Sequence, residues 1–108
     1  MAQNFRRYIA RNVTTSASTL LTANSYDTII GISLANTTSS AVNASVYITS
    51  SAADYYIVKN APIPAGSSLQ VIDGGAKFVL ESGDALKVIS DTATSLDVIV
   101  SAVDEIST

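Results

Sequence analysis

The stretch Tyr55–Val88, YYIVKNAPIPAGSSLQVIDGGAKFVLESGDALKV, decides the fold class, because it reads as four short strands joined by three turns. Tyr55 to Lys59 is rich in aromatic and β-branched residues, which suit a pleated surface, and the run ends at Asn60. Pro62 and Pro64 have no amide hydrogen to donate, so APIPAG is expected to be an extended edge crossing that turns at Gly66. Ser68 to Ile72 forms the next strand. Asp73-Gly74-Gly75 supplies the positive φ of a tight turn, and Lys77 to Leu80 answers across it. Glu81-Ser82-Gly83-Asp84 turns the chain again into Ala85 to Ile89.

Working outward, period-two patterns continue on both sides. In TIIGISLAN (residues 28–36), Ile30, Ile32 and Leu34 fall on one face and Gly31, Ser33 and Ala35 on the other, the alternation of a half-buried strand. Thr37-Thr38-Ser39-Ser40 interrupts it. Val42, Ala44, Val46 and Ile48 then resume the alternation, so the spacing predicts a hairpin over 29–48. Ser50 to Asp54 is a loop of small residues. Downstream, Leu96, Val98, Val100 and Ala102 alternate with Asp97, Ile99, Ser101 and Val103, which leaves the second face of this strand half apolar. Thr19 to Ala23 makes a further strand upstream. About eight short strands at regular spacing, with no helical stripe between them, predict an all-β, antiparallel β-sandwich or jelly-roll-like domain. Ile32, Leu34, Val46, Val98 and Val100 are expected in one core.

Composition narrows the chemistry. The 108 residues contain no Cys, His or Trp. Disulfides, thiolate or imidazole metal sites, and Ser-His or Cys-His nucleophiles are thereby ruled out. Ser and Thr number 27 against 15 charged residues, so hydroxyls rather than ions wet the surface. No apolar run approaches the roughly 18 residues of a membrane span, and no apolar segment follows the N-terminal arginines as in a secretory signal. The reading is a soluble protein with no catalytic residues, no cofactor and no metal. Glu81 and Asp84 could be taken for an acid-base pair, and Asp73-Gly74-Gly75 for a calcium loop. Turn chemistry accounts for both, and the regular spacing of oxygen ligands is missing. The Asn-x-Ser/Thr triplets at Asn12, Asn36 and Asn43 are what chance gives in so hydroxyl-rich a chain.

Charge is the uneven feature. Arg6, Arg7 and Arg11 lie in the first eleven residues, which hold no acid, whereas all nine acids fall in the remainder with only three Lys. The chain therefore divides into a basic N-terminal arm, residues 1–13, and a sandwich domain, residues 14–108. Phe5, Tyr8 and Ile9 make the arm amphipathic, and it is expected to be mobile until docked. Candidate partner-binding residues are Phe5, Arg6, Arg7, Tyr8 and Arg11 of the arm, with Ile99 and Val103 on the outer face of the last strand. Tyr55 and Tyr56 complete the set, since adjacent strand residues point to opposite faces and one must leave the core. Three arginines on an acidic body, without stacking platforms between them, favour an acidic protein partner over nucleic acid.

The segments IIGISLANTTSSAVNASVYIT (residues 29–49), YYIVKNAPIPAGSS, LESGDALKV and SDTATSLDVIVS (residues 90–101) together resemble a family of small virion structural proteins of tailed bacteriophages, marine cyanophages among them. The resemblance implies a non-enzymatic β-sandwich that assembles in the host cytoplasm into the virion. It would act as a capsid decoration or cement protein, bound to phage capsid or other virion proteins and to itself, with a trimer favoured. A neck, tail or fibre-attachment component fits the same resemblance. A carbohydrate-binding module is the rival of another class, and the lack of Trp counts against it.

Overall fold

A computed structural model describes residues 4–23, 26–72 and 78–106. Nine strands occur among them: β1 (Asn4–Val13), β2 (Ser18–Thr22), β3 (Tyr26–Asn36), β4 (Val42–Ser50), β5 (Ala53–Ile63), β6 (Ser68–Ile72), β7 (Phe78–Leu80), β8 (Ala85–Ser90) and β9 (Leu96–Ile106). They form two antiparallel sheets, one ordered β1-β9-β3-β6 with β7 also on β3, the other β2-β8-β4-β5. The pairs are nested. β4 with β5 lies innermost, then β3 with β6 and β7, then β2 with β8, and β1 with β9 outermost. The chain is one long hairpin folded back at residues 51–52 and rolled so that successive pairs fall in alternate sheets, which is the jelly-roll arrangement. With β6 and β7 counted together as the edge beside β3, the rolled hairpin has the eight strands of that fold.

The core lies between the sheets. Ile32, Leu34, Val46, Val98 and Val100 are all 1% exposed or less, as the period-two reading requires. Leu21, Ile29, Ile63, Leu80, Leu86, Val88 and Leu96 close around them.

Rolling the hairpin changes what the turns do. β3 and β4 are not a hairpin: they lie in opposite sheets, and Thr37–Ser40 arches between them. Asn36 holds the arch, because its buried amide donates to the carbonyls of Ser40 (2.8 Å), Ile63 (3.0 Å) and Pro64 (3.3 Å) while its Oδ1 accepts from the Thr38 amide (2.9 Å) and hydroxyl (2.8 Å). β6 and β7 do not answer each other either. Both run antiparallel to β3 along one edge, Ile72 opposite Ile32 and Phe78 opposite Ile29; the glycine turn assigned to Asp73-Gly74-Gly75 lies outside the described residues. Glu81–Asp84 turns as expected of its residue types, with Gly83 at φ +93° and the Asp84 carboxylate accepting from the Glu81 amide (3.0 Å), but it joins the two sheets. Ser90 and Ser95 lock the β8–β9 crossing through a 2.6 Å hydroxyl pair and a bond from the Ser95 amide to the Val13 carbonyl (2.9 Å).

Register also departs from strict alternation. A shift between Ile29 and Gly31 against β9 puts Ile29, rather than Ile30, in the core (0% exposed). β5 does not stop at Asn60 but passes through it in a left-handed conformation (φ +53°), with the Asn60 amide donating to Ser45 Oγ (2.9 Å). Its Pro62 is tolerated because β5 is an edge strand.

The N-terminal segment is not an arm apart from the sandwich. Residues 4–13 are β1, paired from Asn4↔Asp104 to Ala10↔Val98 and again at Val13↔Leu96. Strand β9 offers this segment an open ladder, and Val13 is buried (2%) with Tyr8 and Ala10 packed on the core. Those contacts offset the ordering entropy that an isolated basic tail could not.

The Ser50–Asp54 loop is a two-residue turn. Ser51 (φ +50°) and Ala52 (φ +65°) are both left-handed between the closing pair Ser50↔Ala53, a geometry that favours Asn-Gly. Each non-glycine residue held there costs about 1–2 kcal/mol. The double variant Ser51→Asn, Ala52→Gly is therefore expected to raise the unfolding free energy by roughly 1–2 kcal/mol, after the entropy that glycine adds to the unfolded chain. A fall in the urea midpoint would show that the turn is not strained in this way.

Candidate interaction surfaces

Two surface groups carry most of the exposed large apolar side chains described. The first is on the outer face of the β1-β9-β3 sheet. Alternation along β1 turns Phe5 and Ile9 outward, where they oppose Val103 and Ile99 of β9; Phe5 is 82% exposed, Ile9 61% and Ile99 53%. Between these two apolar rows stands Arg7, opposite Ser101. Beyond Ala10 the pairing shifts, Asn12 turns left-handed (φ +56°), and its amide donates to the Asp97 carboxylate (3.2 Å). That bulge leaves a shallow depression of about 310 Å³ lined by Ile9, Ala10, Arg11, Asp97, Val98 and Ile99. It is an apolar hollow with one cation and one anion on its rim.

The second group is on β5. Tyr55 opposes Ile48 and Tyr56 opposes Tyr47, so the two tyrosines leave opposite faces of the strand, and both are exposed. The Tyr56 ring lies 4.9 Å from Tyr47, tilted by 37°, and Lys59 Nζ stands 5.0 Å from the Tyr56 centroid, within cation-π range. Burial pushes the Tyr47 phenol above its ordinary pKa, helped by the Asp54 carboxylate and then Tyr56, so it stays neutral. Asp54 itself accepts from Thr49 Oγ1 (2.8 Å). Elsewhere, the Asn43 amide and the Thr92 hydroxyl hold the Asp91 carboxyl below its ordinary range.

The nine residues expected to bind partners do not make one site. Phe5, Arg7, Ile99 and Val103 come together on the outer face, with Arg11 at the bulge. Arg6 opposes the buried Ala102 and so points to the other side of the sheet, while Tyr8, opposite Val100, packs on the chain's own core. Tyr8 thus lies on the opposite face from Phe5 and Arg7, because alternation along a paired strand takes every second side chain inward. Ile9, and Val79 of β7 (60% exposed), are exposed apolar side chains outside the expected nine. The run Phe5, Arg7, Ile9, Arg11 carried the signal in its period of two. Among the described residues no group of three His, Cys, Asp or Glu is placed to hold a metal, and no helix is long and apolar enough to cross a membrane.

No protein-family model matches the chain, and no curated protein matches its sequence significantly. Solved structures do share its fold. A pentameric capsid protein isolated from metagenomic phage sequences aligns over 94% of this chain with 17% identity and a TM-score of 0.54. A second structure of a pentameric capsid protein from such sequences aligns over 94%, with 15% identity and a TM-score of 0.51, covering 68% of that protein. A protein of Bacillus endospore appendages, a novel family of disulfide-linked pili, aligns over 98% of this chain and 88% of its own length, with 14% identity and a TM-score of 0.56. The chain spans about three fifths (61%) of the first capsid protein. At these identities the likeness is one of fold.

Proposed function

We propose that this chain is a non-enzymatic structural protein of a phage virion, which self-associates and docks on the particle as a capsid decoration or cement protein. The observation that carries the reading is the exposed apolar face of the β1-β9 pair on a jelly roll whose fold recurs in pentameric phage capsid proteins. Side chains as apolar as Phe5, Ile9 and Ile99, held on paired strands rather than on loose loops, mark an association surface. The endospore pili that share this fold are disulfide-linked, and these 108 residues have no Cys, so assembly here would be non-covalent. A sugar-binding platform is less well supported, because Tyr55 and Tyr56 point to opposite faces of β5.

Light scattering on the purified chain is expected to report a homo-oligomer, with the trimer favoured from sequence and the pentamer of the fold relatives as the two sizes to separate. A strict monomer at high concentration, on and off particles, would refute self-association. Stoichiometry in purified particles places it: parity with the major capsid protein means decoration, whereas a single ring's worth means neck or tail.

A further inference from the structure

The exposed large apolar side chains are split between two opposite flanks of the sandwich. β1 packs over β2 on one side, and β5 over β6 on the other. Phe5, Ile9 and Ile99 belong to the β1 flank; Tyr55 and Tyr56 of β5, and Val79 of β7 on the same sheet edge as β6, belong to the β5 flank. Only Tyr26, on β3, stands outside these two sets among the exposed large hydrophobics described. Charge divides the same way. Arg7 and Arg11 are on the β1 flank with one acid, Asp97, beside Arg11 at the hollow, whereas Asp54 of β5 and Glu81 at the end of β7 border the β5 flank with one cation, Lys59, so the two flanks keep net charges of opposite sign.

Each flank repels its own kind. An antiparallel contact between two β1 strands sets the arginines of one copy against those of the other, and a contact between two β5 flanks sets Asp54 and Glu81 against themselves; like charges directly opposed are destabilising. Unlike flanks attract, and each brings aromatic or branched apolar groups that the other can cover. A full intermolecular strand ladder on the β5 flank is blocked, since left-handed Asn60 and Pro62 interrupt β5. Contact there must run through side chains.

Resting on the self-association proposed above, we infer that copies join head to tail, the β1 flank of one protomer against the β5 flank of the next. An interface between two different surfaces of the same chain is heterologous, and it closes into a ring when the rotation per step divides the circle. The hollow at Ile9 and Ile99 offers a seat for a tyrosine from the neighbour, with Arg7 and Arg11 beside it to meet Asp54 and Glu81.

The test uses all 108 residues and changes exposed positions only, with thermal melting to confirm that each variant folds. Sedimentation velocity should show that Arg7→Glu with Arg11→Glu, and separately Asp54→Lys with Glu81→Lys, each weaken self-association at least about tenfold, and that all four changes in one chain bring it back to within about threefold of the original. If the β5-flank reversal assembles as the original does, the contact is not head to tail and the inference fails while self-association stands. Failure of the fourfold variant to recover overturns it equally. A monomeric parent chain would instead sink the self-association reading, and this inference with it.

Discussion

Replacing Asn36 with Leu is expected to lower the unfolding free energy by about 3–5 kcal/mol, since each buried polar group left without a partner costs about 1–3 kcal/mol. Asn36 is 3% exposed, and one side chain serves both the arch after β3 and the crossing after β5. A leucine fills the volume but strands the Ile63 carbonyl and the Thr38 amide in a place with little access to water. Asn36→Asp keeps the shape, yet turns a donor into an acceptor facing three carbonyls, and should cost at least as much. Asn43 makes a matched control, being exposed and in the same Asn-x-Ser/Thr context; Asn43→Ala should stay within about 0.5 kcal/mol. Urea melts of the three variants check this, and an Asn36→Leu chain as stable as the original would mean that the arch is held by its backbone alone.

Deleting residues 2–11 should have the larger effect and abolish cooperative folding. A division into an arm (1–13) and a sandwich (14–108) would let this deletion leave the sandwich intact, but the deleted segment is most of β1. Its loss removes the β9 pairings from Asn4 to Ala10 and uncovers Val100, Ala102 and the neighbouring core that Tyr8 and Ala10 cover. It also leaves β9 as a long bare edge, apolar on one face and half apolar on the other, which is a template for aggregation. A domain of this size holds only about 5–15 kcal/mol in reserve, so the loss of an entire strand is of the same order. Circular dichroism and soluble yield decide it. A truncated chain that melts cooperatively near the original temperature would show β1 to be dispensable.

Strand identity was legible because alternation is local: Ile32 and Leu34, Val98 and Val100 declare their face within a few residues. Partnership was not, because nothing near Thr37–Ser40 distinguishes a hairpin from an arch; the difference lies in Asn36 reaching the carbonyls of Ile63 and Pro64, far along the chain. The bulge that puts Ile29 inside is likewise set by β9. The two-residue turn at Ser51-Ala52 was hidden by residues that suit it poorly. Charge misled at β1, where three arginines made a strand look like a tail, although Phe5, Arg7, Ile9 and Arg11 already alternate. Of the interaction surfaces, Ile99 and Val103 could be read as outward-facing. That Phe5 and Ile9 join them depends on the β1–β9 register, which no local pattern encodes.

The nesting of the strand pairs also sets an order in time. The loop that must close for Ser50 to meet Ala53 is two residues long, whereas Asn4 meets Asp104 only across nearly the whole chain, and closing entropy rises with every pair outward. Folding should therefore zip from the 51–52 turn and end with β1, slowly, as contacts of long sequence separation dictate. In stopped-flow experiments the turn variants would then act on the folding rate, and changes in β1 on the unfolding rate. Until β1 arrives, β9 waits with one edge open in every newly made copy, so at high concentration the speed of that last step decides whether a chain completes its own sheet or borrows the first strand of another.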